Sequence, residues 1–394
     1  MTRQVCGYMK KVIVLILLCF ITPSVSAQQN GVKKPGHIYS DSAIIIDSKT
    51  GSILYSKNGT KRMNPASITK IATAIYAIQH SDLRDQVKIS EKASRTEGST
   101  VYLAPGETLS MEQLLQGLMV NSGNDAAVAI AEHTEGSVKK FVDKLNLFLK
   151  EEVGVRDTHF ENPHGLYGKN HYTTAYDMAE ITSYALQNEQ FRELFDIDSL
   201  DWKAEGWNTT LYNHHKMVKG EIPYPEVTGG KNGFIDESRH TLVTSAENDK
   251  LSIVVVTMKA QSKRAIYSDT RKLLDYGLNQ FERNYIPKET VFQLDGTSYD
   301  LKRDIPFTQP VEGKITQKLA ASGELTLYNQ DHEEMLSTTL TPVKGTPVTH
   351  TEAVASSEHK GQFSGQLLFY PFIIYMALLF IAGVSVFRPG SFNK

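Results

Sequence analysis

Two stretches of the 394-residue chain are predominantly apolar and carry no charge, and they lie toward its two ends. Residues 12–21 form a short apolar run behind Arg3, Lys10 and Lys11. Val25, Ser26 and Ala27 then supply small residues, the pattern of a cleaved export signal over 1–27. The run is too short to span a bilayer, and the Leu17-Leu18 pair before Cys19 does not suit a lipoprotein site. Residues 367–387 contain no charge and are long enough to cross roughly 30 Å of hydrocarbon, so they predict a transmembrane anchor. Lys360 precedes this stretch, and Arg388 and Lys394 follow it. With an export signal in front, the bulk of the chain is expected outside and a basic tail, 388–394, inside.

Between the ends the pattern changes period. A β-branched run at 42–46, a turn through Asp47, Lys49 and Gly51, and a second run at 52–55 predict a hairpin. Residues 64–190 carry helical patterns, and 230–235, 241–245 and 251–258 read as three more strands. Two strands, then helices, then three strands predict an α+β layer with one mostly antiparallel sheet. Past about residue 283 the strands become short and are separated by Gly, Asp and Pro, at 291–294, 305–307, 315–319 and 325–328. They predict a small β domain over 284–348. The polar, Ser/Glu-rich stretch 349–366 reads as a stalk.

Composition narrows the chemistry. The 42 Lys and Arg against 44 Asp and Glu give a net charge of −2, with no basic footprint for nucleic acid. Both cysteines, Cys6 and Cys19, fall inside the export signal, so the working protein is expected to have no thiol for catalysis, disulfides or metal. Twelve histidines show no metal-ligand spacing and are read as surface or structural residues.

Three local patterns carry chemistry. In Asn64-Pro-Ala-Ser-Ile-Thr-Lys70, Asn64 reads as a helix N-cap and Pro65 as the first helical residue. The residues that follow are apolar nearly all round, so the helix should be buried. Ser67 and Lys70, three apart, share a face. Burial favours the neutral lysine, a competent base, and the helix N-terminus favours a developing alkoxide at Ser67. The pair fits a nucleophile and its base, although a capping serine near a snorkelling lysine gives the same pattern. Second, Ser122 and Asn124 fall in a tight turn after a helix at 111–120 entered through Ser110 and Gln113; such a turn presents a hydroxyl and an amide to a cleft, or is simply a turn. Third, Lys231, Asn232, Gly233 and Phe234 follow two glycines on a predicted strand. Lys231 could hold a substrate carboxylate and the backbone N–H groups could help form an oxyanion hole; an edge-strand lysine beside a bulge is the plain alternative.

In this order, S-x-x-K, S-x-N and K-x-G make up the motif set of the penicillin-binding and serine β-lactamase superfamily. The chain resembles the bacterial serine D-alanyl-D-alanine carboxypeptidases of low molecular mass, peptidase family S11. Residues 43–47, 51–55, 122–127, 160–165 and 174–178 add to the likeness, which spans nearly the whole mature chain. Residues 95–98, 228–231 and 239–243 resemble sporulation-type members. The resemblance implies a catalytic domain over 28–283, no cofactor and no metal, with peptidoglycan stem peptides as substrate and β-lactams as acylating inhibitors. It implies that Ser67 attacks the penultimate D-alanine, Lys70 takes its proton, Ser122 and Asn124 relay protons and position the amide, and Lys231 reads the terminal carboxylate. The N–H groups of Ser67 and Phe234 would form the oxyanion hole.

One position departs from the pattern. The family usually has Thr where this chain has Asn232, and Ile235 stands where a second Thr is common. Asparagine can donate to a carboxylate, but with different reach. The expected result is retained chemistry with an altered rate. Two other readings follow: a catalytically weak wall-binding protein, motivated by Asn232, and a β-lactamase, which would need a glutamate for the deacylating water.

Overall fold

A computed structural model describes residues 34–342 apart from 331 and 333. The expected export signal (1–27), stalk (349–366) and transmembrane anchor (367–387), and residues 343–348 of the expected β domain, therefore lie outside the described residues. Among those that are described, no helix is long and apolar enough to cross a membrane.

The core of the chain is a five-stranded antiparallel sheet. Its strands are β1 (Ser42–Asp47), β2 (Ile53–Lys57), β3 (Val227–Ile235), β4 (Arg239–Glu247) and β5 (Ser252–Ala260), in the spatial order β2-β1-β5-β4-β3. The continuous β-branched runs in β1 and β5 have a direct cause: both faces of the sheet are covered. Ala43, Ile45, Ile253 and Val255 face one apolar cluster, and Ile44, Ile46, Val254 and Val256 face another. A strand buried on both faces cannot alternate apolar with polar.

On one face packs α7 (Lys263–Gln280), through Leu273, Leu274 and Leu278. The other face carries the helical layer: α1 (Thr69–His80), α2 (Met111–Val120), α3 (Asn124–Glu135), α4 (Val138–Phe148), α5 (Ala175–Ala185) and α6 (Glu189–Asp196). Helix α1 is buried from Thr69 to Ala77, as its all-round apolar pattern requires. Two small pairings were not expected from the sequence. Gln86–Lys88 pairs with Thr108–Ser110, and Ser199–Lys203 pairs with Asn208–Tyr212, which places Trp202 in the core.

Strand Phe281–Ile286 continues directly from α7 and pairs with Ile305–Pro310. Two three-stranded sheets complete a small β unit around Ile286, Tyr299, Phe307, Leu325 and Leu327. It is tied to the main sheet through buried Asp47, which accepts from Arg283 Nε at 3.1 Å and Thr308 Oγ1 at 2.7 Å.

Candidate active site

The first motif does not start its helix as the sequence suggests. Residues Ala66–Ile68 form a 3-10 turn, and α1 begins at Thr69. Asn64 is not the cap; its Nδ2 donates 2.9 Å to the His171 carbonyl, which ties the turn to a distant loop. Thr69 Oγ1 donates to the Ala66 carbonyl at 2.8 Å and meets His171 Nε2 at 3.0 Å. The Glu161 N–H donates to His171 Nδ1 at 3.0 Å, so Nε2 carries the ring proton and donates to Thr69. Burial pushes the His171 pKa down to about 3, which keeps this ring neutral. His171 is thus a buried brace for the serine turn. The polar loop context in the sequence gave no sign of it.

Lys70 is fully buried, and its Nζ sits 3.1 Å from Ser67 Oγ, 2.8 Å from Asn124 Oδ1 and 2.7 Å from the His164 carbonyl. Burial and the nearby Lys231 charge push its pKa well below the ordinary lysine value, against a smaller opposing pull from Asp125. A neutral amine has two N–H donors and one lone pair. The His164 carbonyl can only accept. Asn124 is oriented by its own Nδ2, which donates 2.7 Å to the Glu97 carbonyl, so Oδ1 must face Lys70. The lone pair is left for the one partner that can donate, the Ser67 hydroxyl. This wiring makes Lys70 competent to take the Ser67 proton.

The second motif forms the turn between α2 and α3, with Asn124 as the first residue of α3. Ser122 adopts φ +61°, an uncommon left-handed conformation for a side-chain-bearing residue. Its Oγ is buried and makes no hydrogen bond among the described residues. Buried hydroxyls are normally paired, so this one stands out as available to a reacting group. Several bonds fix the turn to the segment 97–103. Asn121 Nδ2 donates to the Thr100 carbonyl at 2.8 Å, the Asn124 N–H to Ser99 at 2.7 Å, and the carboxylate of Asp125 accepts from Val101 N–H.

The third motif lies on β3, an edge strand with a bulge between Val227 and Gly229. Lys231 is 1% exposed, and desolvation lowers its pKa to about 7. Its Nζ donates 3.3 Å to the Asn232 carbonyl, a weak contact for so buried a cation. Asn232 Oδ1 is buried without a partner among the described residues, and Phe234 is exposed. Gly233 allows the strand to reach the serine: a Cβ there would lie 2.7 Å from the Ser67 nitrogen and 2.6 Å from Thr241 Oγ1. Thr241, opposite on β4, donates 2.8 Å to the Pro65 carbonyl and so holds the serine turn against the sheet. Arg239 pairs with Asp236 at 3.7 Å across the β3–β4 turn.

The loop 160–165, noted in the sequence only as part of a likeness, supplies one of the two acceptors of Lys70, the His164 carbonyl. Asn162 Oδ1 accepts from the Gly165 N–H at 2.7 Å and shapes the loop. Gly165 sits at φ +93°, and a Cβ there would collide with the Ala66 carbonyl at 1.9 Å. His164 contributes through its carbonyl, while burial pushes the pKa of its ring down to about 3. Among the described residues, no group of three or more His, Cys, Asp or Glu could hold a metal ion.

A family model described as D-alanyl-D-alanine carboxypeptidase, peptidase S11, matches residues 28–262. The chain belongs to this family. Among its relatives is the D-alanyl-D-alanine carboxypeptidase DacF of Bacillus subtilis, 34% identical over 282 residues, covering 69% of this chain and 71% of that one. DacD of Escherichia coli is 28% identical over 337 residues, covering 76% and 85%. Penicillin binding protein 5 of Haemophilus influenzae superposes with a TM-score of 0.70 at 25% identity, covering 79% of this chain and 98% of that one. Penicillin binding protein 6B of Escherichia coli gives 0.65 at 27%, covering 80% and 98%. The α+β fold is thus that of the penicillin-binding proteins.

Proposed function

We infer that the protein is a serine D-alanyl-D-alanine carboxypeptidase that removes the terminal D-alanine from peptidoglycan stem peptides. The observation that carries the mechanism is the wiring of Lys70: of its three neighbours, Ser67 alone can donate to a neutral amine. In the acylation step the Ser67 Oγ–carbon bond forms as its proton passes to Lys70. The amide carbon–nitrogen bond then breaks, and the proton reaches the departing amine, with Ser122 placed to relay it. Lys231 holds the terminal carboxylate, and Asn232 donates to it in place of a hydroxyl. The N–H groups of Ser67 and Phe234 receive the oxyanion. Water cleaves the ester, returning the proton to Ser67. Penicillins acylate the same oxygen. The intact Ser67–Lys70 contact supports turnover over a binding-only role.

The setting is part of the same reading. Export through residues 1–27 and an anchor at 367–387 would hold the catalytic domain, 28–283, on the outer side of the membrane, with 284–348 as a spacer and 349–366 as stalk. The likeness to DacF supports a place in the sporulation branch. Fluorescent penicillin labelling, together with D-alanine release from a pentapeptide, tests the activity. Wild type should give both signals and Ser67→Ala neither. Labelling that survives Ser67→Ala would reject this assignment. Membrane fractionation of full-length chain and of a chain ending at 366 tests the anchor; equal solubility would reject it.

A further inference from the structure

A cavity of about 610 Å³ opens at the end of the sheet away from Gly233 and the serine turn. The sheet contributes Thr228 on β3 and Glu247 on β4, and the last turns of α5 and α6 contribute Ser183 and Asp196. Glu193 and Asp198 bring the carboxylates of the wall to four, against two cations, Lys49 and Arg192. Among the described residues, none of these charged groups forms an ion pair. Arg192 instead donates from Nη1 to the Leu186 carbonyl at 2.8 Å.

The wall lacks positive charge where it is most needed. Asp196 is the last residue of α6, where the helix dipole already places partial negative charge. Burial and the charge of Asp198 push the Asp196 pKa up, as for two carboxylates that share a site with no cation between them. A second observation is independent of the acids. Ser183 is 7% exposed, and its Oγ has no hydrogen-bond partner among the described residues. Buried hydroxyls are normally paired. Thr182, its neighbour on α5, finds the usual solution and donates 2.7 Å to the Met178 carbonyl, whereas Ser183 does not.

A metal ion does not fit the gap. Among the described residues no group of three or more His, Cys, Asp or Glu could hold one, and the cavity has the size of an organic ligand site. Four carboxylates against two cations leave two negative charges, which two ammonium groups would balance. We propose that this cavity is a binding site for an aliphatic diamine or polyamine, separate from the catalytic centre. One ammonium lies between Asp196 and Asp198, and the Ser183 oxygen is a further acceptor on the wall for its N–H donors. The bound amine ties α6 to the ends of β3 and β4, so it stabilises the folded chain by mass action.

Spermidine is the probe. Full-length protein is titrated with it by calorimetry at low ionic strength, and melting is followed by circular dichroism with and without it. Wild type should bind saturably and melt at a higher temperature with spermidine present. The double variant Asp196→Asn, Asp198→Asn should bind at least about tenfold more weakly and lose the thermal shift. Ser183→Ala, which keeps every charge, should bind about threefold more weakly, the loss of one hydrogen bond. Without spermidine the double variant should melt no lower than wild type, since two carboxylates that repel each other are gone; this also reports that it folds. A lower melting point would overturn the claim that the cluster lacks its counter-charge. No saturable binding by wild type overturns the site, as does affinity unchanged in the double variant. Displacement of spermidine by equimolar magnesium chloride would show a diffuse ion atmosphere only, and overturns it too.

Discussion

Lys231 is a cation that the fold keeps nearly dry, so removing its charge should stabilise the protein while disabling it. Its pKa falls from the ordinary 10.5 to about 7. A base whose folded value is depressed binds fewer protons folded than unfolded between those two limits, so wild-type stability should rise with pH across that window. At pH 7 the difference corresponds to a penalty of about 4 kcal/mol, and at pH 8.5 to about 3 kcal/mol. Lys231→Met keeps the volume and removes the charge. It also removes a repulsion that lowers the pKa of Lys70, a change of the same sign. Urea unfolding of both proteins at pH 7, 8.5 and 10 should show the variant more stable by roughly these amounts, the gain vanishing as pH nears 10.5. Its kcat/KM on a D-Ala-D-Ala peptide should fall by about 10²-fold, the loss of a charge-assisted contact to carboxylate. A variant no more stable than wild type at pH 7, or a gain that does not shrink with pH, would refute the reasoning.

Asn124→Ala removes the 2.8 Å acceptor that orients Lys70, and kcat should drop by about 10²-fold with little change in KM, read by steady-state kinetics. Gly233→Ala places a methyl group 2.7 Å from the Ser67 nitrogen; penicillin acylation should slow by at least about 10²-fold, measured by stopped-flow labelling. Asn232→Thr restores a hydroxyl beside the carboxylate locus, and kcat/KM should change by about threefold or more; an unchanged value would show the asparagine to be neutral.

Several parts of this fold can be read directly from the chain. The apolar, largely β-branched runs at the centres of β1 and β5 mark strands because both faces of the sheet are covered there. The all-round apolar residues of α1 mark a buried helix, and the spacing of Ser67 and Lys70 brings them together although Ser67 falls in the 3-10 turn just before it. The pairing at Ser199–Lys203 escaped notice, since its five residues are mostly polar and only Trp202 is buried. The start of α1 was misread for a related reason. Asn64 has the chemistry of a cap, but no side-chain cap bond forms at the turn or at the start of α1, and its Nδ2 instead donates to a carbonyl more than a hundred residues away.

The order of the three motifs is a property of the sequence, and it determines which reactive groups the protein owns: a hydroxyl, two lysines, a second hydroxyl and an amide. What those groups can do was decided by tertiary structure. Only folding brings the Glu97 and His164 carbonyls, from two separate loops, to Asn124 and Lys70, and so leaves the lysine one lone pair and one donor to receive. Local propensity encodes helices and turns because neighbours in sequence compete over a few ångströms. A proton's direction depends on partners that meet only once the core has closed.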